Sequence, residues 1–258
     1  MKDLLRLEFR KLRTQKSFYI ILAIMFVLVV ISALTTKLLE NLAAEINEVG
    51  EALGGESFNA SGESVLLGFV SSSAFLTLTA IFVPIVVCDD YGNSIVKNIV
   101  SRGYTRTDFY FAKLIYLIVV TSVMFLVSSA VAAIFGALLF GIGGDTGKIA
   151  LLIAVQYLAC VASVTLYFAI SSMIKKLGGA IAICIFAPMI LSLVLSLIDS
   201  AVNFESFSIA DYWLSSFTTS LSDIAVVTKR IIVCAVFSIV YACVFAAVGY
   251  AFTNRAEV

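Results

Sequence analysis

The chain has 258 residues, of which 61% are hydrophobic and only 13% are charged, and its mean hydropathy is +1.08. Water-soluble domains carry far more polar residues, so this composition excludes an ordinary soluble enzyme and indicates an integral membrane protein. The formal charge is zero because 17 basic and 17 acidic residues cancel, and therefore only the distribution of charge along the chain is informative.

Six apolar runs are long enough to cross a bilayer. A helix rises about 1.5 Å per residue and the hydrocarbon layer is about 30 Å thick, so about 20 apolar residues suffice. The runs cover residues 18–36, 65–88, 114–140, 149–172, 177–198 and 231–252. They lack the two-residue alternation of barrel strands, and they therefore predict an all-α membrane protein, a single domain with six transmembrane helices.

Basic residues are concentrated at one end of the predicted spans. Thirteen of the 17 Lys and Arg residues lie there, whereas eleven Asp and Glu residues lie at the other end. By the positive-inside rule the basic end faces the cytoplasm, so both termini are predicted to be cytoplasmic. The first apolar run is longer than the core of a signal peptide and has no clear cleavage site, so we interpret it as an uncleaved span.

The segment before the first span has a helical pattern of its own. Within residues 1–17, Leu5, Phe9 and Leu12 share one helical face, while basic residues occupy another. This pattern predicts an amphipathic helix that lies on the inner membrane surface and connects to the first span. The alternative interpretation is a basic patch that only orients the first span.

The segment before the last span, residues 199–227, mixes apolar residues with Ser, Thr and Asp. A seventh span there would bury Asp211 and Asp223, at about 2.5 to 3.5 kcal/mol for each charge near the bilayer centre. We therefore predict re-entrant or interfacial helices that return to the outer face. Lys229 and Arg230 would then begin the last span from the outside, against the usual charge bias.

The side chains that membrane enzymes and ion-driven carriers use are missing. The chain has no histidine, which excludes an HExxH metal site, and no charged residue lies in the middle third of any predicted span. Residues 143–148 resemble a phosphate loop, but Ile142 and Ile149 stand where that motif needs Gly and Ser or Thr. We therefore predict that the chain is not an enzyme and holds neither a metal nor ATP. Gln156, the most polar side chain deep in a span, is predicted to form a helix-packing hydrogen bond rather than a ligand contact.

Residues 89–113 form the only sizeable inner loop between spans. Gly92 and Gly103 enclose a short predicted helix within this loop. One face of that helix is formed by the apolar residues Ile95, Val96 and Ile99. Thr107 and Asp108 are placed to cap the third span, which starts just after them.

This inner loop resembles that of the permease subunits of type-2 ATP-binding-cassette exporters, the group that includes bacitracin, lantibiotic and sodium exporters. In that family an acid and a glycine after the second span lead to a Lys-Asn pair, then Gly-x-[Ser/Thr]-Arg, then an aromatic residue and Lys. The matching residues are Asp90, Gly92, Lys97, Asn98, Gly103, Thr105, Arg106, Phe109 or Tyr110, and Lys113. The amphipathic N-terminal helix, the six spans and the outer segment extend the resemblance over the whole chain.

The resemblance implies a coupling helix near residues 95–100 that docks on a separate nucleotide-binding ATPase subunit, which would hold the ATP and Mg. It also implies a second permease chain as a partner and a bacterial plasma membrane as the location, with no role for nucleic acid. The implied partner-binding residues are Asp90, Gly92, Ile95, Lys97, Asn98, Arg102, Gly103, Thr105 and Arg106. For Lys97, Arg102 and Arg106 the alternative role is a charge anchor at the inner leaflet.

Two functions of different kinds remain open at this point. The first is the permease subunit of an ATP-driven exporter, which forms the path for an apolar or amphipathic substrate, such as a peptide, an antibiotic or a lipid-like molecule. The apolar, uncharged spans suit such a substrate. The alternative is a non-transporting membrane anchor or sensor that binds a cytoplasmic partner through the same loop.

Overall fold

The computed structural model describes residues 2–50, 61–92, 95, 99, 101, 103–141, 146–202, 208–222 and 226–255. Across these residues all regular structure is helical and no strand occurs. The helices are α1 (Lys2–Thr14), α2 (Lys16–Gly50), α3 (Gly62–Val70), α4 (Ser73–Gly92), α5 (Arg106–Phe140), α6 (Thr146–Ile174), α7 (Leu177–Val202), α8 (Leu214–Ser220) and α9 (Thr228–Arg255), with a 3-10 turn at Ala210–Tyr212. The predicted all-α class is therefore confirmed.

Six stretches of the described chain are long and apolar enough to cross a membrane. They are Lys16–Leu42, Gly62–Gly92, Thr107–Phe140, Thr146–Ile174, Leu177–Ala201 and Thr228–Thr253. We call them the first to sixth spans; the second span comprises α3 and α4, and the sixth is α9. The words inner and outer name the two ends of the spans that the charge distribution predicts to face the cytoplasm and the outside. Each extends beyond its predicted apolar run, because the helices continue into the more polar flanking residues.

The second span is not the single continuous helix that the run 65–88 predicted. It is broken at Ser71 and Ser72, which form a turn between α3 and α4. The N–H of Ser71 binds the carbonyl oxygen of Leu67 at 3.1 Å, which closes α3. The hydroxyl of Ser72 accepts the N–H of Phe75 at 3.4 Å and so caps α4. Serine hydroxyls offer the backbone such alternatives to the helical ladder, and the serines at the break therefore interrupt the helix while they lower the hydropathy of the run only slightly.

The fourth span lies at the centre of the bundle. It packs against the sixth span, α4, the fifth span and the third span, and α3 packs mainly on the third span. In the fourth span, 50% of the most apolar stretch is buried inside the protein, whereas only 6% of that stretch is buried in the fifth span. The fifth span therefore turns most of its apolar surface away from this chain, toward lipid or another protein.

The N-terminal helix α1 ends at Thr14, before the first span begins, and packs on the third span. Its protein-facing side includes Leu4, which is buried, and the charged residues Glu8 and Lys11. Phe9, one of the predicted apolar residues, packs edge-on against Tyr116 of the third span, with ring centroids 5.8 Å apart. The buried side of α1 is thus broader and more charged than the predicted apolar face, and its location on the membrane surface stays a prediction.

The outer segment contains the 3-10 turn and α8, and the re-entrant or interfacial placement of its helices stays a prediction. Trp213, Phe217 and Leu221, at i, i+4 and i+8, are buried against the fourth and sixth spans. Arg230 of the sixth span donates to the carbonyl oxygen of Asp211 at 3.1 Å and lies 3.4 Å from its carboxylate. Of the two basic residues at the start of the last span, Arg230 therefore has an acidic partner in the outer segment.

Candidate coupling site at the inner face

Asp90 and Lys113 form a buried ion pair where the second and third spans reach the inner loop. Asp90 lies in the last turn of α4 and Lys113 lies two turns into α5. The ammonium of Lys113 donates to the carboxylate of Asp90, and both side chains are 1% exposed. A charged side chain that is this deeply buried and has no partner would destabilise the fold by several kcal/mol. Each of the two residues therefore needs the opposite charge of the other.

The N-terminal helix contributes two more charges to this pair. Lys113 also donates to Glu8 Oε2 at 3.0 Å, and Lys11 donates to the second carboxylate oxygen of Asp90. Lys11 Nζ lies 3.6 Å from Asp89 Oδ2 as well. We call Glu8, Lys11, Asp90 and Lys113 the inner charge cluster. Its two acids and two bases balance, and it joins α1 to the inner ends of the second and third spans.

The pKa of Lys11 is raised above its ordinary value of 10.5. Burial favours the neutral amine, but the hydrogen bond and charge of Asp90 outweigh it, with further contributions from Glu8 and Asp89. Lys11 is therefore charged at every physiological pH, and its contacts within the cluster persist there.

Tyr116 adds an aromatic contact to the same junction. Its ring centroid lies 5.3 Å from Lys113 Nζ, which places the ammonium over the ring. Its hydroxyl donates to Gln15 Oε1 at 3.1 Å, at the turn between α1 and the first span. The third span thus contacts both α1 and Gln15, the residue that joins α1 to the first span.

A cleft of about 320 Å³ lies between α1 and the inner loop. Its lining consists of Leu4, Leu7, Glu8, Lys11, Asp90, Ile95 and Ile99. Ile95 and Ile99 are helical, as the predicted short helix requires. The cleft therefore combines apolar walls from two helices with three members of the inner charge cluster.

The structure places the other predicted loop residues in different settings. Gly92 is the last residue of α4 and is exposed. Gly103 has φ +87°, in the left-handed region that favours glycine. Lys97, Asn98 and Arg102 lie outside the described residues, as does the side chain of Arg106, the first residue of α5. The proposed partner contacts of these residues stay predictions.

Thr105, rather than the predicted Thr107 and Asp108, is the capping residue of the third span. Its hydroxyl oxygen accepts the N–H of Asp108 at 3.1 Å, and its hydroxyl donates to the Asp108 carboxylate at 2.8 Å. The helix therefore starts two residues earlier than predicted, because the Thr at the earlier position has an acidic residue at the third helical position.

Glu8 and Lys11 were not among the predicted site residues. A signal for them exists in the sequence: they are opposite charges three residues apart on a predicted helix, and Asp90 and Lys113 are opposite charges at the ends of adjacent spans. That signal is incomplete, since hydropathy does not place α1 next to the third span.

Gln156 forms the second polar centre, in the outer half of the fourth span. Its Nε2 lies 2.6 Å from Ser71 Oγ, 2.9 Å from the carbonyl oxygen of Leu221 and 3.3 Å from that of Leu67. The side chain is 2% exposed, and its Oε1 has no hydrogen-bond partner among the described residues. The predicted helix-packing role is confirmed, and it involves the break in the second span and the end of α8.

In the described part of the chain, no group of three or more His, Cys, Asp or Glu side chains is placed to hold a metal ion. The inner charge cluster has a structural role: its paired charges hold α1, α4 and α5 together. The second and third spans are thus held to α1 at their inner ends.

Residues 4–203 match the family model described as ABC-2 family transporter protein. The match includes α1 from Leu4, the first five spans and the inner loop, and it ends before α8. No curated protein matches the chain. The narrower likeness to bacitracin, lantibiotic and sodium exporters stays a prediction.

Proposed function

Because the chain belongs to the ABC-2 transporter family and is thus a multi-pass permease component of an ABC transporter, we propose that it moves an apolar or amphipathic substrate out of a bacterial cell. A separate ATPase subunit supplies the energy, and both termini of the permease lie in the cytoplasm with it. The observation that carries the coupling is the inner charge cluster, which joins α1 to the two spans that flank the inner loop.

The cleft between α1 and the inner loop is the proposed binding site for the ATPase subunit. Leu7 is exposed at its rim, and Ile95 and Ile99 are half-buried across from it, so apolar surface is available to a partner. Lys97 and Arg102 of the same loop would then orient the contact by charge. A movement of the ATPase subunit is transmitted through Asp90. Separating Asp90 from Lys113 would leave two buried charges unpaired, so the second and third spans move together with Asp90.

A groove among the spans supports the proposed substrate class. A groove of about 500 Å³ lies between the second, fourth and fifth spans and α8. Its lining is mostly apolar but includes the hydroxyls of Thr77, Ser192, Ser196 and Ser215. That mixture suits an amphipathic molecule such as a peptide, an antibiotic or a lipid. The exposed fifth span is the proposed contact with a second permease chain.

The test uses the full chain together with its ATPase subunit in sealed vesicles. We expect copurification of the two proteins and ATP-dependent movement of a fluorescent amphipathic peptide or phospholipid. Copurification without movement of either probe would favour the anchor or sensor. A Lys97→Glu, Arg106→Glu variant that keeps full ATPase stimulation and transport would refute the role of the loop.

A further inference from the structure

The outer part of the second span is a structural unit distinct from the inner part. α3 and α4 are separated by the turn at Ser71 and Ser72, and α3 packs mainly on the third span rather than on α4. At the outer end, backbones of α3 and the third span touch. A Cβ placed on Gly136 would lie 2.6 Å from the carbonyl oxygen of Gly62. α3 and the outer end of the third span therefore form one tightly packed pair.

On its other side, α3 is held to the fourth span through Gln156. Two of the three acceptors of this amide, Leu67 O and Ser71 Oγ, belong to the end of α3 and the break. An amide nitrogen has two hydrogens, so the three acceptors compete for them. The third acceptor, Leu221 O, is the carbonyl that ends α8, which ties the outer helix into the same contact.

A second groove, of about 340 Å³, lies on the far side of α3, between this helix and the first span. Its lining includes Ser64, Gly68 and Ser72 of the second span, and Ser32 and Thr36 of the first. Any displacement of α3 changes the width of this groove and of the seam at Gln156 together. The groove places hydroxyls and apolar side chains side by side in the outer half of the bundle.

From these observations we propose that α3 is the moving element of an outer gate, hinged at Ser71 and Ser72, and that Gln156 is the latch that holds the gate closed. The opening separates α3 from the fourth span and α8 and keeps its contact with the third span. The inference rests on the proposed export function for its purpose, because an exporter has to open on its outer side. The hinge and the latch themselves rest only on the contacts described above.

The test measures exposure of the seam between α3 and the fourth span. Val155, 4% exposed, lies beside Gln156 in the buried cluster that includes Leu67. Val155→Cys is close in volume, and it is placed in a full-length chain whose five native cysteines are replaced by Ser or Ala. A membrane-impermeant thiol reagent is added outside intact cells. We expect slow labelling in the parent and a rate roughly tenfold higher in Gln156→Leu, which removes the latch without changing its bulk.

The matched control is Tyr157→Phe. This change removes the contact between the Tyr157 hydroxyl and Ser122 Oγ, 2.7 Å, which joins the fourth and third spans and does not involve α3. Labelling of Val155→Cys should stay at the parent rate in this control. An unchanged rate in Gln156→Leu, or an equal increase in Tyr157→Phe, would overturn the latch. If Gln156→Leu fails to fold, Ser71→Ala removes one acceptor only and should raise the rate roughly threefold.

This assay tests the proposed gate and the proposed export function independently of each other. The effect of Gln156→Leu is measured in the chain without its ATPase subunit, so it reports on the latch alone. With the ATPase subunit present, ATP should raise labelling in the parent toward that of Gln156→Leu. A latch effect without any response to ATP would leave the gate standing and would count against ATP-driven export.

Discussion

Removal of the Asp90 charge should destabilise the inner junction more than any other single carboxylate change. In Asp90→Asn, Lys113 keeps its contact with Glu8 at 3.0 Å but loses the buried carboxylate of Asp90, and Lys11 loses the same charged acceptor. Breaking a buried pair costs about 3 to 5 kcal/mol. The remaining Glu8 contact offsets part of this loss, so we expect about 3 kcal/mol for Asp90→Asn.

A double-mutant cycle separates the pair from its surroundings. Asp90→Asn, Lys113→Gln and the double variant are compared by unfolding in SDS, followed by far-ultraviolet circular dichroism. The two single changes should not add, and a coupling free energy of about 1 to 3 kcal/mol is expected, because the double variant leaves no unpaired charge within the pair. The single Trp213 lies in the outer segment, so its fluorescence is a poor probe of this junction.

The matched control is the neighbouring carboxylate. Asp89 has the same chemistry one residue away, but its side chain is 48% exposed and lies 3.6 Å from Lys11. Asp89→Asn should cost less than about 1 kcal/mol, as exposed pairs do. Equal losses for Asp89→Asn and Asp90→Asn, or strictly additive single changes, would show that the buried pair does not hold the junction.

Three further changes probe other contacts. Gly136→Ala should weaken the packing of α3 on the third span by about 1 to 3 kcal/mol in SDS unfolding, since the new methyl meets backbone, whereas Gly178→Ala, which meets nothing within 4 Å, should not. Thr105→Ala should cost about 1 kcal/mol through loss of the cap, and Thr105→Ser should restore most of it. The contribution of Lys11 to the free energy of unfolding should be fully present below pH 10.5 and should be lost as the pH rises through the raised pKa of Lys11. If the Lys11→Met variant loses the same stability at alkaline pH, Lys11 is not the group responsible.

Hydropathy was sufficient to predict the six spans, because the apolar requirement of the bilayer acts on every turn of each helix. It did not reveal the break at Ser71 and Ser72, since two serines lower the apolar content of the run very little. The capping residue was placed two positions late for a similar reason: Thr105 and Thr107 are chemically alike, and only the position of Asp108 relative to each distinguishes them.

The inner charge cluster shows a different limit of sequence reasoning. Asp90 was selected as a residue on a docking loop, but the structure buries it against Lys113 and Lys11. Its partner Lys11 is 79 positions away along the chain, so the contact depends on how α1 folds back onto the third span. Hydrophobic periodicity describes one helix at a time and does not contain that tertiary information.

α4 connects the two polar centres of the permease. It has 20 residues and therefore spans about 30 Å, from the hinge at Ser72 to Asp90 in the inner charge cluster. A helix of this length moves largely as a rod, so a displacement of Asp90 by the ATPase subunit changes the angle at which α4 meets α3. If both proposals hold, the ATPase subunit displaces Asp90 at the inner end of α4, and the contacts of Gln156 at the outer end then break.

Pro84 lies inside α4 and removes one backbone hydrogen bond from this helix. The helix would therefore bend at Pro84, and such a bend would reduce the movement that reaches α3. Pro84→Ala should therefore leave Val155→Cys labelling in the chain alone near the parent rate and increase the additional labelling that ATP produces in the complex, whereas a smaller ATP response would argue against transmission along α4.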